Sequence, residues 1–426
     1  MTAEPHPARL QSRTVRTLFT GQVLAGVGVS VGIGVGTLLG EDLGHSVSLA
    51  GFTQTAWVLG AAVFALPLAR FAARSGRRPA LASGYLIGAA GAGLVSLSAV
   101  IRSYPLLLVG CLLFGAGSAT GLQARYAATD LAPEDRRGRD LSVVVWAATI
   151  GALVAPVMLD PTGRLAETLG LPVLAGPFLA TALALLVSAV VVWVFLRPDP
   201  LVAAGGATAA EAQEPSSMRS ALAVARGSAG ISLALASMAS AHVCMIAVMS
   251  FTPVQLRHHG AGLSAIGYVI GLHVVSMYAL APVFGRLADR AGRIAVVLGG
   301  HVLVALGSVA AAVTADNGPV PAAISLVLLG LGWSAVIVAA SALLTECAAV
   351  ADRPGVQGLS DFVISAIGGI GALVGGIVVG AFGFPVLAGA AVALSALLAV
   401  VTALGASRVA PAPSEPVSAA TPTGGG

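Results

Sequence analysis

Two neighbouring apolar runs, about 229–254 and 264–287, concentrate soft and titratable side chains. The first carries Met238, His242, Met245 and Met249, and the second carries His273 and Met277. Both residue types are scarce, with 7 Met and 7 His in 426 residues. At about 100° per residue, positions 238, 242, 245 and 249 fall on one narrow helical stripe. His273 and Met277, four apart, share a face of the next helix. Measured from the run ends near 254 and 264, Met245 and His273 lie at one depth, about 13 Å in, and His242 and Met277 lie about 18–20 Å in. If the two faces meet, thioethers and imidazoles form a ladder. Thioether with imidazole is the ligand set that selects Cu(I). A Met stripe at helical spacing is also ordinary packing, and a His in such a stripe can simply bond a backbone carbonyl.

The elements that position these residues are helices in a membrane. Apolar residues make up 57% of the chain and charged residues 9%, where a soluble domain carries about 25% charged. Mean hydropathy is +0.94. Surface grows too fast relative to volume for a soluble fold to hide so much apolar area. The 22 basic residues are all Arg, which removes P-loop and Schiff-base chemistry, both of which need Lys. Cys111, Cys244 and Cys347 are too scattered for a disulfide framework. A net charge of +4 without a dense basic stripe argues against a nucleic-acid partner. No Ser/His/Asp array or paired carboxylates stand out, so an enzyme is not expected, and no segment outside the apolar runs is long enough for a receptor domain. No resident cofactor is expected either.

The runs count six plus six. They fall at about 15–40, 49–71, 80–101, 105–128, 141–160 and 174–196, then at 229–254, 264–287, 294–315, 320–346, 358–381 and 383–406. This predicts an N-tail 1–14, a six-helix bundle 15–196, a polar linker 197–228, a second bundle 229–406 and a disordered tail 407–426. With termini and even-numbered connections on one side, that side collects 18 Arg against 3 opposite. The positive-inside rule then puts both termini in the cytoplasm, with the bilayer of a bacterial cytoplasmic membrane as the surroundings. Glycines at 28, 32, 36 and 40, and the pairs 371/375 and 376/380, repeat every four residues, a spacing that lets helix backbones approach.

The halves echo each other. Gly76-Arg77 recurs as Gly292-Arg293, Gly115-Ala116-Gly117 as Gly330-Leu331-Gly332, and Ile150-Gly151-Ala152-Leu153-Val154 as Ile370-Gly371-Ala372-Leu373-Val374. Such repetition suits carriers that rock two bundles around a central site. Gly285-Arg286-Leu287-Ala288-Asp289-Arg290-Ala291-Gly292-Arg293 resembles the loop signature of the major facilitator superfamily (MFS). The first-half copy, Ala69 to Arg78 with Gly76, Arg77 and Arg78, lacks its Gly and its Asp, with Ala73 at the acid position. The resemblance covers about 15–406. It implies an all-α integral membrane protein with twelve transmembrane helices in two six-helix bundles, working by alternating access. Gly285, Asp289, Arg290, Gly292 and Arg293 would form a charge latch between bundle ends.

The drug/proton antiporters of that superfamily carry an Arg where this chain has Cys111, and a glycine pair that is missing after Pro156, so drug efflux loses weight. Met245-x-x-x-Met249 followed by His273-x-x-x-Met277 resembles the paired motifs of the CcoA-type copper importers. That resemblance implies copper as substrate, these four residues as its path and a copper-accepting protein beyond it; Met238 and His242 join them through the helical stripe. Related branches carry organic solutes including riboflavin, and a small organic solute stays open as the alternative. Arg125, near the cytoplasmic end of the fourth predicted span, and Asp361, a few residues into the eleventh, are further charges inside spans, and such charges are functional candidates. With no carboxylate deep in a span, His242 and His273 are the candidates for proton carriage.

Overall fold

A computed structural model describes residues 7–133, 137–204, 218–349 and 352–408. The first half is built from α1 (Pro7–Gly44), α2 (Val47–Ser75), α3 (Arg77–Ile101), α4 (Tyr104–Ala127), α5 (Arg137–Thr168) and α6 (Ala175–Phe195). Among the described residues, two linker helices follow, α7 (Pro200–Ala203) and α8 (Met218–Gly227). The second half comprises α9 (Ala229–His258), α10 (Leu263–Ala279), α11 (Ala281–Ala291), α12 (Arg293–Val313), α13 (Pro319–Cys347), α14 (Arg353–Phe382) and α15 (Phe384–Gly405). No strand occurs among the described residues.

Several boundaries differ from expectation. Among the described residues, ten helices are long and apolar enough to span a membrane singly, and α10 with α11, bent by 40°, makes an eleventh. The expected run 264–287 is therefore broken at Leu280, where Pro282 opens α11 and supplies no N–H to continue the ladder. The twelfth helix, α5, holds Pro156 and Pro161 and carries Asp140, Asp160, Arg164 and Glu167, which lower its hydropathy. The first helix begins at Pro7, so much of the expected N-tail is helical. The linker is partly folded: α8 turns Ala221 and Ala225 inward and rests on α14. Of the tail 407–426, Ser407 and Arg408 close a short 3-10 turn and the rest lies outside the described residues.

Backbone spacing explains why these helices can lie so close. A Cβ on Gly51 of α2 would fall 2.6 Å from the Ala372 carbonyl and 3.2 Å from Gly376 of α14. The α1 glycines likewise receive neighbours, with Phe114 against Gly32 and Thr181 against Gly28. Successive helices turn sharply at Gly76 (φ 96°) and Gly292 (φ 91°), a backbone region that disfavours residues with a Cβ.

Contacts between the halves cluster at one membrane face, the far face, opposite the terminal face where α1 begins and α15 ends. There Arg257 pairs with Asp42 at 2.8 Å and His258 with Glu41 at 2.6 Å. Ser264 bonds Asp160, and Gly267 receives Pro156 and Leu159. Thr55 donates to the Gly369 carbonyl at 2.9 Å, deeper along the α2–α14 seam. Toward the terminal face, Arg125–Asp361 at 3.6 Å is the ion pair that joins the halves among the described residues.

Candidate functional site

Just beneath the Thr55–Gly369 seal, the His242 ring rests against Gly368, where an added Cβ would lie 2.9 Å from Nε2. The Trp333 indole N–H on α13 donates to His242 Nδ1 at 3.0 Å. An imidazole that accepts at Nδ1 carries its proton on Nε2 when neutral, so His242 presents a donor. Tyr278 of α10 meets Trp333 edge to face at 6.1 Å. Below these rings lie Arg125 of α4 and Asp361 of α14, from opposite halves. Arg125 also donates to the Tyr126 hydroxyl at 3.1 Å, while its Nε is buried without a partner. Asp361 and Gly368 are seven residues apart on one helix, about 10 Å. The result is a polar and aromatic ladder that runs from the seal toward the terminal face. His242, Tyr278, Trp333 and Arg125 are each half-buried.

The expected Met/His residues do not all converge. Met245, Met249 and Met277 sit in one large core cluster, and Met238 packs in another, with Ala221, Ala225 and Val296. Helices α9 and α10 touch little; both lie along α13. His273 accordingly turns to α13, with Nδ1 2.6 Å from the Leu326 carbonyl, and only Nδ1–H can donate there. Its Nε2, a lone-pair nitrogen in that tautomer, is buried with no hydrogen-bond partner. Met277, one turn along, is 8% exposed. Among the described residues no group of three or more His, Cys, Asp or Glu is placed to hold a metal.

The loop residues form two matching junctions, each within a half. Arg77, at the start of α3, forms a two-point pair with Asp130 beyond α4, at 2.8 and 3.1 Å. Arg293, at the start of α12, reaches Glu346 at the end of α13 at 2.7 Å and Asp289 at 2.5 Å. Both arginine–acid pairs span 53 residues. A latch joining the bundle ends is thus not what these residues make in this conformation: Asp289, Arg293 and Glu346 all belong to the second half. Arg290 is exposed, and Gly285 faces Val338. Arg78 stacks over the Trp193 ring at 4.7 Å. Sequence reasoning missed Asp130 and Glu346, although the repeat that aligned Arg77 with Arg293 also aligns these two acids.

Residues 18–272 and 233–423 match the Major Facilitator Superfamily. Among curated proteins the chain is 37% identical to the uncharacterized MFS-type transporter YddS of Bacillus subtilis (strain 168), over 92% of this chain and 90% of that protein. It is 36% identical to YdeG of the same organism, over 88% of each. The riboflavin transporter RfnT of Brucella anthropi is 28% identical, over 83% of this chain and 85% of that one. Among solved structures, a bacterial homolog of the human lysosomal transporter Spinster, in an inward-facing and occupied conformation, superposes with a TM-score of 0.73 at 15% identity, over 95% and 98% of the two chains. The all-helical fold, the internal repeat, the glycine-turned loops and these matches lead to one conclusion: the chain belongs to the Major Facilitator Superfamily of membrane transporters.

Proposed function

We propose that the chain is an alternating-access carrier of a small organic solute bearing a planar ring, moved between the two halves. The observation that carries this reading is the ladder His242–Trp333–Tyr278–Arg125–Asp361, which ends at a sealed far face. Rings offer stacking surfaces, and His242 Nε2 and Arg125 offer donors that recognise a polar edge. The likeness to a riboflavin transporter supports a heteroaromatic solute. The arginine asymmetry of 18 to 3 supports a cytoplasmic terminal face, and hence a site open to the cytoplasm in this state. Uptake of radiolabelled riboflavin and simpler heteroaromatic solutes into proteoliposomes tests it. Trp333→Leu should abolish uptake of the accepted solute while membrane protein level holds; undiminished uptake removes the ladder from the path.

A second reading, copper uptake through Met245, Met249, His273 and Met277, is favoured by one observation: the unpartnered, buried Nε2 of His273, one turn from the Met277 thioether. Copper accumulation in cells with and without the gene discriminates the two. A copper signal that vanishes in His273→Gln would favour the metal; equal copper with and without the gene would discard it.

A further inference from the structure

A cavity of about 590 Å³ opens on the terminal face between the first turns of α1 and the last turn of α6. Arg9, Arg13 and Arg16 line it. With Thr20 they fall within a stripe of about 60° on one helix face, so three guanidinium groups are gathered into one cleft rather than spread around the helix. All three are exposed and none forms an ion pair among the described residues. Two of the three hydroxyls that line the cleft are committed: Thr17 donates to the Arg13 carbonyl and Thr20 to the Arg16 carbonyl, each at 3.0 Å, while the third belongs to Ser12. The charged donors of the cleft are therefore the three arginines, with the Ser12 hydroxyl among them, and what they lack is an anion.

The opposite wall is apolar. Val191 and Phe195 of α6 line the cleft, with Phe195 52% exposed at the end of its helix. Exposed apolar side chains continue from there along α6, including Val190, Val187 and Leu183. A free phosphate would satisfy the arginines and leave this wall bare. A phospholipid satisfies both, its headgroup among the arginines and its acyl chains along α6. The depth also fits, since the cleft lies where an apolar span gives way to a charged helix end, the level of lipid headgroups.

We infer that Arg9, Arg13 and Arg16 form a binding site for the phosphate of an anionic phospholipid. The site is separate from the ladder between the halves and stands whatever solute is carried. Full-length protein in detergent is titrated with dioleoyl phosphatidylglycerol, dioleoyl phosphatidylcholine or inorganic phosphate, and bound lipid is read by native mass spectrometry. Each arginine near an anionic headgroup should contribute about five-fold in affinity. Replacing all three, as Arg9→Gln/Arg13→Gln/Arg16→Gln, should weaken phosphatidylglycerol binding on the order of a hundred-fold. Arg70→Gln/Arg74→Gln/Arg219→Gln, which removes equal charge elsewhere on the same face, should leave it unchanged. If the first triple variant does not fold, Arg13→Gln alone should cost about five-fold. Equal binding of phosphatidylcholine, or a loss shared by the control variant, overturns the site. Inorganic phosphate that displaces the lipid at matched concentration overturns the lipid assignment.

Discussion

The seam between α2 and α14 offers a way to move the conformational equilibrium with one methyl group. Gly51 faces Ala372, Gly376 and the Phe251 ring, all in the opposite half, at 2.6, 3.2 and 3.3 Å from an added Cβ. Two of these contacts are backbone, so the neighbours cannot swing aside. Overpacking of this kind costs about 1–3 kcal/mol, and Gly51→Ala should charge it only to the state in which the far face is sealed. The helix-propensity gain of Ala over Gly, about 1 kcal/mol, applies to both states and cancels in their ratio. The sealed state should therefore lose about 5- to 150-fold relative to the open one. Spin labels at Leu169 and Asn317, exposed on far-face loops of opposite halves, would report this as a new population at longer distance. Gly60→Ala is the control: its Cβ would strike the Leu112 carbonyl inside the first half, which strains every conformation alike. It should lower the melting temperature without altering the distance distribution. If Gly51→Ala leaves the distances unchanged, or if Gly60→Ala shifts them equally, the seam does not govern the equilibrium.

Further outcomes follow from the junctions and the site. Arg77 and Asp130 are 17% and 10% exposed, so Asp130→Asn should destabilise by about 1–3 kcal/mol in thermal melts. Glu346, at 47% exposed, should cost under about 1 kcal/mol as Gln. Asp361→Asn should remove the terminal-side tie and shift accessibility of residues lining the ladder, measured by alkylation of a cysteine at Ser365. Met245→Leu and Met277→Leu should keep protein level, costing under about 1.5 kcal/mol, and on the copper reading alone should abolish metal uptake. Reporter fusions at residues 212 and 426 should both read cytoplasmic; a signal from the opposite side at either would overturn the orientation.

Hydropathy and the internal repeat made the helical bundles readable because both are local or periodic properties. The glycine stripes were legible for the same reason: spacing of four fixes a face, and the structure places neighbouring backbones and rings on it. Helical phase does not reveal which neighbour a face meets. Met245 and His273 share a depth in their runs, yet α13 lies along both helices, and His273 bonds Leu326 on it. Arg125 and Asp361 were visible as charges within spans, but their pairing joins positions 236 residues apart on opposite halves. Trp333 and Tyr278 gave no signal at all, since an aromatic residue in an apolar run looks like any other. The linker helix α8 was hidden by its polar face, which made the whole segment read as a loop.

The two junctions solve one problem with different chain connectivity. In the second half the acid lies on the preceding helix, as Asp289 reaching Arg293 four residues on. In the first half that position is Ala73, and the acid comes from the linker: Asp199 Oδ2 accepts the Arg78 backbone N–H at 2.7 Å. Its other oxygen accepts from Leu201 at 3.0 Å and Val202 at 3.3 Å, which starts α7. One carboxylate therefore caps two helices and fastens the linker to α3. Removing a cap costs about 0.5–2 kcal/mol, and this one serves two helix starts, so Asp199→Ala should fall toward the upper end. Asp289, 66% exposed, should cost under about 1 kcal/mol as Ala because water screens its pair. Asp199→Leu, which keeps the volume but removes both acceptor oxygens, should stay as destabilised as Asp199→Ala, whereas a mere volume effect would be relieved by it. Thermal melts of the three variants decide it: Asp199→Ala no more destabilising than Asp289→Ala would sink the idea that the linker acid replaces the missing one.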